Sequence, residues 1–123
     1  MGRPVKIPDA THPITIRPTG SRVTVRVGGT TVAESDSALS LAEASYPVVQ
    51  YIPVADVDQS LLRRTDSHTY CPYKGEASYY SLQTPDGGYE NDLIWTYEQP
   101  HDAVAEIAGH VAFYANRAEV TVG

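Results

Sequence analysis

The stretch RVTVRVGGTTVAES, residues 22–35, decides the fold. Val23, Val25 and Val27 alternate with Thr24 and Arg26, a period of two that lines the valines on one face of a strand. Gly28 and Gly29 then supply the positive φ angles that a two-residue reversal requires, and Thr30, Thr31 and Val32 resume an extended chain. A β-hairpin is the reading, and it sets the class for what surrounds it.

Working outward, HPITI at 12–16 is extended, and SALSLAEA at 37–44 is rich in helix formers but barely two turns long, so it reads as a short helix or a loop. VVQYIPV at 48–54 is β-branched and aromatic, with Pro53 stopping it or confining it to a sheet edge. Asp58 suits the cap of a single helical turn in QSLLRR, because its carboxylate can accept the free amides at a helix start. EASYYSL at 76–82 and NDLIWTYE at 91–98 form a second hairpin about the TPDGG turn. DAVAEI at 102–107 is another short helical candidate capped by Asp102, and HVAFYAN and AEVTV end the chain in strands. Seven or eight short strands with no helix beyond about two turns predict an all-β, mostly antiparallel domain over residues 12–123, after an N-terminal tail at 1–11.

Composition narrows the function. The chain has 123 residues, enough for one core, and its net charge of -6 with only 9 Lys and Arg argues against binding a nucleic-acid backbone. No apolar run reaches the roughly 18 residues of a membrane helix, and the first dozen residues lack the apolar stretch of a signal peptide, so a cytoplasmic location is expected. Cys71 is the single cysteine, which excludes an internal disulfide and a zinc site built on cysteine pairs. Neither GxGxxG nor GxxxxGK[ST] occurs, and His101 and His110 lack metal-ligand spacing, so no cofactor or metal is expected.

HPITI at 12–16, YIPVADV at 51–57, CPYKGEASYYS at 71–81, IWTYEQP at 94–100 and GHVAFY at 109–114 follow one another in an order that resembles the bacterial domain-of-unknown-function family number 427. The resemblance covers nearly the whole chain. It implies a β-tent-like fold, two small antiparallel sheets leaning together over a cleft. Many β-tent proteins carry zinc on paired cysteines, and the lone Cys71 departs from that pattern. The family is also described as nucleotidyltransferase-like, an activity for which no triphosphate cradle or paired-carboxylate motif stands in this sequence.

Two chemistries compete for SHTYCPYKGEASYY, residues 67–80. Cys71 is a candidate nucleophile or redox thiol if its thiolate is favoured, with His68 as base and Lys74 as cation each three residues away; a small buried hydrophobe is the alternative. Lys74 beside Gly75 is also a candidate anion contact. Tyr51, Tyr79, Trp95 and Tyr97 are candidate walls of a small-molecule cleft, since a tyrosine offers a large ring and a hydroxyl that needs a partner. On a pleated strand Trp95 and Tyr97 share a face, whereas Tyr79 and Tyr80 oppose each other. Asp56 is a turn cap or a carboxylate of the cleft, and Glu43 is a structural carboxylate paired with Asp56 or Arg63. The expected function is small-molecule binding in the aromatic cleft, with a Cys71 enzyme as the alternative. An interaction module pairing through a sheet edge such as the Val23 hairpin stays open, as does self-association.

Overall fold

The computed structural model describes residues 3–123. Ten strands follow in chain order: β1 Ile14–Pro18, β2 Val23–Val27, β3 Thr30–Ser35, β4 Leu39–Glu43, β5 Val49–Pro53, β6 Leu62–Cys71, β7 Gly75–Gln83, β8 Tyr89–Thr96, β9 His110–Phe113 and β10 Glu119–Val122. They form two antiparallel sheets, one of seven strands in the order β1-β4-β5-β9-β8-β7-β6 and one of three in the order β10-β2-β3. The Val23 hairpin is present with Gly28 at φ 56° and Gly29 at φ 83°, the mirror-image turn that matches strand twist. β2 is the middle strand of its sheet, so the edges there are β3 and β10.

Alternation along the large sheet builds two cores, one on each face. Ile52, Leu82, Ile94, Val111 and Phe113 pack with the valines of β2 and β3, so that the small sheet covers one face. Tyr51, Ala77, Tyr79, Tyr97 and Ala112 point the other way and pack with Leu41, Val104 and Ile107. Tyr79 and Tyr80 fall on opposite faces, as period two demands. β5 is where the sheet divides: Val49, Gln50 and Tyr51 pair with β4, whereas Ile52 and Pro53 pair with β9. The β1–β4 ladder therefore joins the rest of the sheet through one strand, and the cleft opens at that junction.

Several expectations are corrected. SALSLAEA yields β4 and no helix, because pairing on both sides with β1 and β5 and burial of Leu41 outweigh the helix propensity of Ala, Leu and Glu. LRRTDSHTYC forms the edge strand β6, and β4 and β6 together bring the total to ten, above the seven or eight anticipated. The 3-10 turn Asp102–Ile107 starts after His101, and no side chain among the described residues caps it, so Asp102 is inside the turn. Asp58 does cap the single turn Gln59–Leu61, accepting from the Ser60 amide at 3.1 Å. Ahead of β1, Lys6 N donates to the Pro72 carbonyl at 3.0 Å and the Tyr70 hydroxyl to the Pro4 carbonyl at 2.7 Å.

Candidate functional site

The face of the large sheet that bears Tyr51, Tyr79, Trp95 and Tyr97 opens into a cavity of about 180 Å³. Period two sets these residues side by side: Tyr79 is the cross-strand partner of Trp95, and Tyr97 lies two residues on from Trp95 along the same face. Tyr51 reaches in from β5, where it meets Trp95 edge-on at 6.4 Å between ring centroids, and its hydroxyl accepts a hydrogen bond from Trp95 Nε1 at 3.1 Å. Tyr114 leans on the other side of Trp95 at 4.6 Å. Leu41, Tyr46, Pro47 and Val49 complete the apolar wall. Beyond Trp95 and Tyr114 lies a second, apolar groove of about 290 Å³ reaching Val48, Phe113 and Val122.

Glu43 and Lys74 form the polar end of the cavity. Glu43 ends β4 and Lys74 occupies the turn between β6 and β7, where its amide donates to the Cys71 carbonyl at 3.2 Å and Gly75 takes φ 112° to start β7. The Lys74 ammonium donates to Glu43 Oε1, with side-chain exposures of only 11% and 14%. The other carboxylate oxygen, Oε2, takes His12 Nε2 at 2.7 Å. His12 is fixed by Asp9, whose carboxylate accepts from the Thr11 and His12 amides, and by stacking on Tyr73 at 4.0 Å. Burial pushes the Glu43 carboxyl up, but the hydrogen bonds from Lys74 and His12 outweigh it, and the net result lies below the ordinary value. The Tyr51 and Tyr97 phenols are raised, chiefly by burial, so both stay protonated at neutral pH. Burial and a neighbouring Tyr79 hydroxyl push Tyr114 up to about 12.

Tyr97 differs from the other rings. The Tyr79 hydroxyl pairs with Thr69 Oγ1 at 2.8 Å, whereas the Tyr97 hydroxyl has no hydrogen-bond partner among the described residues although Tyr97 is only 7% exposed. No fully enclosed side-chain polar atom among those residues lacks a partner. The Tyr97 hydroxyl therefore touches open space, and the space Tyr97 lines is this cavity.

Of the residues singled out from sequence, Tyr51, Lys74, Tyr79, Trp95 and Tyr97 come together here. Asp56 does not: it sits in the 3-10 turn Val54–Asp56 and accepts the Ser35 hydroxyl at 2.6 Å. Cys71 packs partly against the core on the cleft side. His68, three residues away along β6, falls on the opposite face near Ser78 at 3.5 Å and Glu76 at 3.7 Å, so the two are not a thiol and its base in this arrangement. Lys74 directs its charge to Glu43. The expected partners of Glu43, Asp56 and Arg63, are elsewhere, Arg63 donating to the Ser60 and Leu62 carbonyls. Sequence reasoning missed Tyr46 and the His12–Glu43–Lys74 chain, whose members are 31 residues apart at each step and carry no local spacing signal. No cluster of three or more His, Cys, Asp or Glu suited to a metal ion occurs among the described residues, and no helix there is long and apolar enough to cross a membrane.

Comparison with known proteins gives one finding on identity. The family model described as "Domain of unknown function (DUF427)" matches residues 15–123. The chain belongs to that family. No curated protein matches it.

Proposed function

We propose, with membership of a family that carries no assigned activity as the premise, that the chain binds a small molecule in the cleft walled by Tyr51, Tyr79, Trp95 and Tyr97. The observation that carries this reading is that the aromatic face is open. Rings of this size on a buried sheet face ordinarily interlock into a solid core at close packing; here they surround about 180 Å³ of accessible space beside a charged pair. That volume corresponds to about six waters at ~30 Å³ each, less than the roughly 300 Å³ at which pockets for drug-sized ligands begin. The ligand is accordingly small, or it extends past Trp95 and Tyr114 into the neighbouring apolar groove.

Trp95 is the one tryptophan of the chain and stands in the cleft wall, so its fluorescence reports on occupancy. A thermal-shift screen of nucleotides, sugars, amines and small aromatic acids and amides, followed by titration on Trp95 emission, tests the reading. A saturable change that is weakened at least tenfold by Val49→Phe, which narrows the cleft without removing a side-chain hydrogen bond or adding a second tryptophan, is the expected result. Ligands that bind Val49→Phe as tightly as the native chain, or a screen in which nothing perturbs Trp95, would overturn it.

A further inference from the structure

The hydrogen-bonding groups of the cleft are unequal, and the inequality points to the ligand's chemistry. The Tyr51 oxygen already accepts from Trp95 Nε1, which leaves its own proton free to donate. The Tyr97 hydroxyl is unpartnered. The Lys74 ammonium has three protons and one partner among the described residues, Glu43 Oε1. On the acceptor side Glu43 Oε1 already holds Lys74 and Oε2 already holds His12, so its charge is matched, and the Tyr79 hydroxyl is paired with Thr69. Three separate side chains, Tyr51, Tyr97 and Lys74, thus keep unpaired protons around one small space, against the Tyr97 oxygen and the remaining lone pairs of one ion-paired carboxylate.

From this we infer that the cleft receives a small flat ring bearing a carbonyl or carboxylate oxygen, the ring lying among Tyr51, Tyr79 and Trp95 and the oxygen taking protons from Tyr97, Tyr51 and Lys74. The inference rests on the reading of the cleft as a binding site and adds the ligand class to it. A flat ring suits the walls because offset and edge-on aromatic contacts reward planar partners. A cationic ligand is the chemistry that aromatic walls otherwise invite. It is disfavoured here because it would lie beside the Lys74 ammonium, and the one nearby carboxylate is already engaged on both oxygens. Among aromatic walls the local dielectric is low, so a hydrogen bond from Tyr97 to a ligand oxygen is worth more than the same contact in open water.

The test compares three probes of one shape on the intact chain by Trp95 fluorescence and calorimetry: benzoate, benzamide and benzylamine. Benzoate and benzamide are expected to saturate the signal and benzylamine to leave it unchanged; their relative affinities tell an anionic acceptor from a neutral one. Tyr97→Phe, which keeps the ring, is expected to weaken the better acceptor about tenfold, as for loss of one hydrogen bond of ordinary to charge-assisted strength. Tyr80→Phe, on the opposite face of the same sheet, is expected to leave the affinity unchanged, and a retained melting transition in both variants shows that the fold persists. If benzylamine saturates the Trp95 signal and the acceptors do not, the inferred ligand class is wrong and the cleft remains a binding site. Acceptor binding that survives Tyr97→Phe unweakened overturns the assignment of Tyr97. If none of the three perturbs Trp95 the inference falls, while the wider screen decides the cleft itself.

Discussion

Glu43→Gln removes the charge at the polar end of the cleft while preserving shape, and its cost can be worked from the contacts. Two hydrogen bonds are affected, from Lys74 to Oε1 and from His12 to Oε2, and hydrogen bonds to a charged group are each worth about 1.5–3 kcal/mol. The glutamine oxygen can still accept from one of them, so the larger part of one charge-assisted bond is lost outright. In addition the Lys74 ammonium, with 11% of its side chain exposed, is left without its counter-charge, and breaking a buried pair from one side costs about 3–5 kcal/mol. The partial exposure of both groups places the expectation at the low end, about 3 kcal/mol. For a domain of this size that is a fall of roughly 10–15 °C in Tm, read by urea unfolding as a lower midpoint at unchanged slope. The double variant Glu43→Leu with Lys74→Met, which leaves no charge behind, is expected to recover part of the loss. A cost below about 1 kcal/mol for Glu43→Gln, or a double variant worse than the sum of the singles, would refute the claim that this pair is desolvated and mutually dependent.

The same carboxylate predicts an acid response: because its folded pKa is below the ordinary 4.5, its contribution is present above that pH and is lost as pH falls through the lower folded value, so the native-minus-Glu43→Gln difference in urea midpoint should shrink below about pH 4.5. A difference constant down to about pH 2.5 would contradict this. His68→Ala should leave the rate of Cys71 alkylation by iodoacetamide unchanged, since the two side chains lie on opposite faces of β6; a several-fold fall would show that they communicate. Gly75→Ala should cost about 1–3 kcal/mol by thermal unfolding, because φ 112° is foreign to an alanine and its Cβ would stand 3.4 Å from the Gln99 carbonyl oxygen. Gly29→Asn, at φ 83° with nothing within 4 Å, should cost under about 1 kcal/mol, and equal losses at the two positions would refute the strain argument.

What was legible in the sequence follows from which signals are local. The Val23 hairpin is read from alternation and a Gly-Gly pair, both contained within ten residues, and it stands as anticipated. Trp95 and Tyr97 share the cleft because side-chain alternation needs no knowledge of the rest of the fold. β4 was hidden because Leu39, Leu41, Ala42 and Glu43 are good helix formers, and only the two flanking strands make them extended. β6 was hidden for a different reason: an edge strand with neither face well buried has no hydrophobic period to display, and LRRTDSHTYC shows none. The partners of Glu43 are not legible locally, since they come from the turn at Asp9–His12 and from the β6–β7 turn rather than from Asp56 or Arg63. The N-terminal residues read as a tail supply anchoring contacts through Arg3, Pro4 and Lys6, a role that short polar segments conceal when read alone.

β5 changes partners between Tyr51 and Ile52, and these neighbours belong to opposite cores. The cleft thus has a rear layer on the other face of the same sheet: Ile52, Val111 and Phe113 back directly onto the strands that carry Tyr51 and Trp95, and Ile52 and Phe113 also border the apolar groove. Changing side-chain volume there would tilt the cleft floor and adjust its width while leaving every lining residue in place. On the proposed reading, selectivity in this chain would answer to two sets of side chains, one chemical on the cleft side of the sheet and one mechanical behind it.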